Sequence, residues 1–372
     1  MGAAELARAP VRGARIDDVS TAAYRIPTDA PESDGTIEWS ATTLVTAQVT
    51  ASAMKGFGYT YASRAAAVVI ADTLAPVLEG REALDTAARW LDMVRAVRNI
   101  GRPGIASMAI AAVDAALWDL KAKALGVPLV SLLGACRNAI AVYGSGGFTS
   151  YLRERLAEQL GGWADEGMRF VKMKVGRAPQ DDPARVRAAR RAIGDCQLFV
   201  DANGAYTRKQ ALAEAAAFAE LGVSWFEEPV SSDDLEGLSL LRDQGPAGMA
   251  IAAGEYGHDG NYFRRMLGAG AVDVLQSDAT RCAGVTGFME AAALCAAYGV
   301  PLSSHCAPSL HLPLMCAARP AVHLEYFHDH VRIEQMLFDG FVAARNGAMT
   351  PDRSRPGLGI ELKAADAERY RL

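Results

Sequence analysis

From about Gly134 onward the chain alternates short apolar runs with longer stretches rich in Ala, Leu, Glu and Arg. The apolar runs at 141–144, 170–174, 198–200, 224–226, 249–252, 272–275, 301–304 and 322–324 have the length of buried strands. The stretches between them, such as 183–193, 208–221 and 284–298, carry helix-forming composition. Strand then helix, eight times over in about 200 residues, predicts an α/β fold of the (β/α)8 TIM-barrel type. A doubly wound open sheet would place a Gly-rich phosphate loop after its first strand. Gly144-Ser145-Gly146-Gly147 lacks the full spacing for that.

Ahead of the barrel the pattern is different. Residues 1–16 read as a disordered or loosely packed leader. Strand material starts at Asp17, is broken by Pro27, Pro31 and Gly35, and resumes over 42–49. A Gly and aromatic turn follows at 56–61, and 64–123 is helical and Ala-rich. Strands followed by helices describe an α+β unit. The expected layout is an N-terminal α+β capping domain at 17–135 and a (β/α)8 barrel catalytic domain at 136–345. A C-terminal segment, 346–372, is expected to return and pack on the capping domain. The loop from Tyr24 to Trp39 and the turn 57–61 are the candidates to close over the barrel mouth, with Tyr24 and Tyr59 as the substrate-contacting residues.

Composition narrows the function. Half the residues are hydrophobic (51%), enough for a large core. A net charge of −5 without a Lys/Arg block gives no support to a nucleic-acid or membrane-surface partner. The six cysteines show no CxxC pair, so they read as buried thiols in a reducing cytoplasm. The N-terminus has no signal-peptide pattern, and no stretch reaches the roughly 20 apolar residues a membrane span needs. The expected partner is a small molecule, and the Ala-rich barrel helices suit a homo-oligomer.

The chemistry stands where the strands stop, because the C-terminal strand ends form the active face of such barrels. Strand two ends in Lys172-Met173-Lys174, strand three in Asp201-Ala202-Asn203, strand four in Glu227-Glu228-Pro229 and strand five in Gly254-Glu255. Asp278 follows strand six, His305 strand seven and Glu325 strand eight. Seven successive strands thus each deliver an ionisable residue, at intervals of about 20–29 positions. Asp201, Glu227 and Glu255 come from neighbouring strands, so their carboxylates should converge and repel. A divalent cation removes that repulsion, and all-oxygen ligation favours Mg²⁺ over zinc or copper. Lys172 and Lys174 share a face, so one can act as base while the other anchors a carboxylate. A cation and a second lysine nearby should lower the base's pKa. Asp278 can orient His305, which would then face Lys174 across the barrel. His258 is near enough to Glu255 to line the pocket, whereas His311, His323, His328 and His330 are off the strand-end pattern.

Taken together and in this order, these motifs resemble the enolase superfamily, specifically its mandelate racemase-like subgroup (the mandelate racemase/muconate lactonizing enzyme family). The run Ala112-Val113-Asp114 through Lys123, with Gly126 and Pro128-Leu129, resembles the helix joining the family's capping domain to its barrel. The resemblance covers nearly the whole chain. It implies Mg²⁺ on Asp201, Glu227 and Glu255, with Lys174 as one base and the Asp278–His305 dyad as the other. It places Lys172 and Glu325 on the substrate carboxylate and Asn203 beside metal or substrate. It implies that the proton α to a carboxylate is removed to give an ene-diolate. Two positions depart from the subgroup: Ser277 stands where Pro is usual, and Ala283-Gly284 replaces a Gly pair.

An ene-diolate has several fates. Loss of a β-hydroxyl makes the enzyme a dehydratase, and a sugar acid (aldonate or aldarate) giving a 2-keto-3-deoxy acid is the leading expectation. Return of the proton on the other face makes it a racemase or epimerase of a 2-hydroxy acid. Ring opening or closure makes it a cycloisomerase of a sugar-derived lactone or anhydro acid. A non-catalytic binding barrel would be expected to lack a ligand or a base, and none is missing.

Overall fold

The computed structural model describes residues 13–372. The first twelve positions of the expected leader lie outside the described residues. Its last ones are not loose: Ala14 and Ile16 are buried, and the Ala14 carbonyl accepts the Ala83 N–H.

Strands β1 (Ile16–Ser33), β2 (Glu38–Ala51) and β3 (Met54–Tyr61) form an antiparallel sheet in that order. Val45, Ala47, Val49 and Ala51 of β2 recur with the period of two that puts side chains on one face, and they share a core with the helix Ile105–Ala124. Two expectations fail here. Pro27 and Pro31 do not end the first strand; it runs on to Ser33 with a register shift between Pro27 and Glu32. As an edge strand it tolerates prolines, since an outward-facing position owes no ladder bond. Residues 56–61 are not a turn but most of β3, the turn being at Ser52 and Ala53, both with positive φ. The glycines serve close packing. A Cβ on Gly56 would lie 2.0 Å from the Ala116 carbonyl, and one on Gly58 would lie 2.1 Å from that of Ala112. Any larger residue would push the helix off the sheet, at a cost of roughly 1–3 kcal/mol.

The barrel strands are β4 (Ile140–Gly146), β5 (Phe170–Lys174), β6 (Gln197–Asp201), β7 (Val223–Glu227), β8 (Ala250–Ala253), β9 (Val274–Ser277), β10 (Leu302–Ser304) and β11 (Ala321–Phe327). Each pairs in parallel with the next, and β11 pairs with β4 to close the cylinder. This is the expected (β/α)8 barrel, with each strand within a few residues of its reading from sequence. On β5 the alternation sends Val171 and Met173 into the outer core and leaves Lys172 and Lys174 for the interior. Tyr143, Phe199, Trp225 and Ala252 pack into an apolar layer inside the barrel, with Phe199 and Trp225 stacked 5.0 Å apart. That layer floors the charged layer above it.

The chain end returns to both parts. Gly357 bonds to Val127 and Leu129, and Leu372 N–H donates to the Ala23 carbonyl. Buried Asp119 on the linking helix ties three segments: it accepts the N–H of Phe57 on β3, the N–H of Leu358 near the C-terminus, and an ion pair from Lys123. Among the described residues no helix is long and apolar enough to cross a membrane.

Candidate active site at the barrel mouth

Parallel register aligns the strand ends. Lys174 stands opposite Asp201, and Asp201 opposite Glu227. One carboxylate oxygen each from Asp201, Glu227 and Glu255 lies within 4.8 Å of the others, and all three residues are buried. Lys172 Nζ is fully buried and sits 2.6 Å from Glu227 Oε1, 2.8 Å from Glu325 Oε1 and 3.5 Å from Asp201 Oδ2. Lys174 Nζ reaches Asp201 Oδ2 at 2.5 Å. On the other flank His305 Nδ1 lies 2.8 Å from Asp278 Oδ2, and His305 Nε2 lies 3.3 Å from Glu255 Oε2. Thr280 pins Asp278 Oδ1 through both its N–H and its hydroxyl, each at 2.7 Å.

The electrostatics follow from this crowding. Burial, and then the Asp201 charge, push the Glu227 carboxyl well above its usual range. Burial acts the same way on Asp201, but Lys174 and Lys172 overcome it and hold that carboxyl down. Glu228, buried behind the cluster, is pushed up by burial and by Glu255. Six carboxylates (Asp201, Glu227, Glu228, Glu255, Asp278 and Glu325) gather around three permanent cations, Lys172, Lys174 and Arg281. Glu255 Oε2 is buried and has no hydrogen-bond donor, its polar neighbour being His305 Nε2 at 3.3 Å. An oxygen-only donor set with surplus negative charge and a buried carboxylate oxygen that accepts no hydrogen bond suits a hard divalent cation.

The protein side chains by themselves do not lower Lys174, whose expected lowering counted the charge of a bound cation. Burial does pull it down, but the Asp201 carboxylate, with Glu227 and Glu255, outweighs burial and Lys172 and raises it above the ordinary lysine value. The side chains around Lys174 are mostly acidic, and a cation held by Asp201, Glu227 and Glu255 would offset them.

Of the remaining expected site residues, Asn203 borders the cavity that Lys174 and His305 face, and its buried side-chain oxygen has no partner. Glu325 also borders it and accepts the Cys306 N–H at 2.7 Å. His258 does not. It lines a neighbouring cavity of about 640 Å³, with its Nδ1 3.3 Å from the Arg281 carbonyl. Tyr24 and Tyr59 are not substrate contacts. Tyr24 is packed in the core where the chain end crosses β1, beside Arg371. Tyr59 is fully buried; its hydroxyl donates to Glu334 at 2.7 Å and accepts the Leu310 N–H at 3.1 Å. It fastens the capping sheet to the barrel instead.

The capping side of the cavity is made by Ile37, Trp39, Thr42 and Tyr61. Tyr61 is two residues beyond Tyr59, on the same face and nearer the mouth. The barrel adds Phe327 and His330, the latter one of the histidines set aside as off the strand-end pattern. Its signal was its position three residues after the end of β11. Arg281 was also missed. It reaches Glu255 Oε1 at 3.0 Å from three residues past Asp278, one helical turn of sequence spacing. Where the subgroup's Gly pair is altered, Ala283 and Gly284 have φ values of +66° and +88°, so Ala283 keeps a left-handed backbone that glycine usually occupies.

Comparison with known proteins adds to this geometry. Residues 20–134 match the family model for the mandelate racemase / muconate lactonizing enzyme N-terminal domain, and residues 155–367 match that for the enolase C-terminal domain-like region. L-talarate/galactarate dehydratase of Salmonella typhimurium is 31% identical over 97% of this chain and 92% of its own. Its structure with Mg and L-lyxarohydroxamate superposes with a TM-score of 0.88 at 29% identity, covering 97% of this chain and 94% of that one. The 3,6-anhydro-alpha-L-galactonate cycloisomerase of Streptomyces coelicolor is 32% identical over 93% of this chain and 97% of its own. A solved mandelate racemase/muconate lactonizing enzyme-like protein from Rubrobacter xylanophilus is 52% identical, with a TM-score of 0.94, covering 96% of this chain and 100% of that one.

Proposed function

The chain belongs to the mandelate racemase / muconate lactonizing enzyme family of the enolase superfamily, and from that premise we propose that it is a Mg²⁺-dependent enzyme that removes the proton α to a carboxylate, with dehydration of a sugar acid as its reaction. The observation that carries the reading is the two-sided site: Lys174 on one flank of the carboxylate cluster and the Asp278–His305 pair on the other. Curated relatives that are dehydratases and cycloisomerases of sugar acids support it.

In this reading Asp201, Glu227 and Glu255 hold the metal. When bound, Mg²⁺ supplies positive charge where negative charge develops on the substrate carboxylate. Lys172, buried against Glu227 and Glu325, stays protonated and adds a fixed ammonium beside the same carboxylate. Lys174 and His305 flank the α-carbon, and whichever faces the proton takes it. The other is then placed to protonate a leaving β-hydroxyl. Asp278, itself held by Thr280, keeps His305 Nδ1 protonated, which leaves the Nε2 lone pair, 3.3 Å from both Glu255 Oε2 and Cys306 Sγ, as the site that takes a substrate proton. The apolar layer of Tyr143, Phe199 and Trp225 keeps water from beneath the charges.

A semicarbazide screen for 2-keto acid across a sugar-acid library, with Mg²⁺ and with EDTA, tests the assignment. Metal-dependent keto acid supports dehydration. α-Proton exchange without keto acid would replace dehydration by epimerisation or cycloisomerisation.

A further inference from the structure

The cavity over the proposed site, about 410 Å³, has two chemically unlike ends. Lys174, Arg281 and His305 border it at the carboxylate cluster, and each is already engaged with Asp201, Glu255 or Asp278. The other end is walled by Ile37, Trp39, Tyr61, Phe327 and His330. Among the described residues no lysine or arginine borders that end. Arg332, the nearby candidate, is committed to Asp329 and to the Pro27 carbonyl. What lies behind the wall is acidic: Glu32, fully buried, accepts the Trp39 Nε1–H at 2.8 Å, and Asp329 is fully buried too.

His330 is the imidazole of this end, where Asp34, Thr42, Thr43 and Ser63 of the capping domain also border the cavity. Its Nδ1 accepts the Ala307 N–H at 3.2 Å, which places the ring proton on Nε2. Its ring lies flat on Tyr61, with centroids 3.5 Å apart and planes 15° apart, and edge-on to Phe327 at 5.1 Å. The ring is therefore fixed in position and in tautomer. Protonating it would turn the Nδ1 acceptor into a donor facing the Ala307 N–H. Burial pushes the group down to about 3, consistent with a neutral ring. Nε2–H makes no hydrogen bond to protein among the described residues, and His330 lines the cavity.

We propose that the substrate is a monocarboxylic sugar acid, open-chain or anhydro, whose end remote from the reacting carbon is uncharged and places a hydroxyl or ring oxygen on His330 Nε2–H. A dicarboxylic acid would bury its second carboxylate against aromatic rings, with acids behind them and no cation, which is costly unless the charge is paired. This inference rests on the function proposed above and selects between the two sugar-acid classes left open there.

The test uses the Mg²⁺-loaded enzyme and matched pairs of acids, identical in configuration, ending in a hydroxymethyl group or a carboxylate, together with 3,6-anhydro acids. α-Proton exchange in D2O and product formation are both read. The expected result is a kcat/KM for the monoacid about 100-fold or more above its dicarboxylic partner. His330→Phe, which keeps the stacked ring, should raise KM about threefold to tenfold with little change in kcat, and His330→Gln, which keeps a donor, should recover part of that loss. Preference for the diacids, or an unchanged KM in His330→Phe, would overturn the inference while leaving α-proton abstraction intact. No exchange with any acid would sink the proposed function, and this inference with it.

Discussion

Replacing Asp278 by Asn should disable one face of the site and spare the other. Thr280 donates twice to Asp278 Oδ1, so the new amide will keep its oxygen there and turn its NH2 toward His305 Nδ1. His305 must then accept at Nδ1 and carry its proton on Nε2, leaving no lone pair for a substrate proton. At the observed 2.8 Å separation, the lost attraction for an imidazolium is about 6 kcal/mol at an effective dielectric near 20. A positioned acid–base group contributes about 10²–10⁴-fold, or about 3–5 kcal/mol, so roughly 10³-fold is the expected loss. The assay is α-proton exchange in D2O, followed by NMR on two substrates of opposite α-configuration. Exchange from the face toward His305 should fall by that factor, while exchange from the face toward Lys174 persists. A loss below about 10-fold on both faces would refute the assigned role of the dyad.

Other outcomes follow from named contacts. Tyr59→Phe leaves the Leu310 N–H without its acceptor and Glu334 short of a donor, so thermal unfolding should show a loss of about 1–3 kcal/mol while kcat is kept. Mg²⁺ at 100 times its Kd should stabilise the wild type by about 2.7 kcal/mol, and Glu227→Gln should lose most of that shift in a melting assay. The Glu32 carboxyl is pushed up from 4.5 to about 8, by burial first and then by Asp329. Its proton is therefore kept in the folded state and lost from the unfolded one between those values. Stability falls as pH rises from 4.5 to about 8, so Tm against pH should decline in that window for the wild type and less for Glu32→Gln.

What could be read from sequence was whatever depended on neighbours along the chain. Strand and helix alternation, and the ionisable residue closing each strand, are local patterns. A parallel barrel turns them into one layer by register alone, as the Lys174–Asp201–Glu227 pairing illustrates. The capping surface depends instead on how two units dock. Tyr59 and Tyr61 share a face of β3 and look alike in sequence, but the docking buries the first against Glu334 and gives the second to the cavity. His330 belongs to no strand end, and only the closed barrel carries its helix to the mouth. The Gly56 to Tyr61 run was read as a turn because glycine's two uses, loose backbone and absent side chain, look the same until the helix pressed against it is seen. The lysine pKa direction depends on charge balance in three dimensions, which sequence order does not carry: side-chain carboxylates outnumber side-chain cations there.

The most direct test of the central claim is α-proton exchange in D2O with the best acid substrate, measured by NMR with Mg²⁺, with EDTA, and in Lys174→Ala and His305→Ala. The account predicts exchange that needs the metal, and in each variant a loss of about 10²-fold or more on the face its side chain serves. Full metal-independent exchange, or wild-type exchange and turnover in both variants, would contradict it.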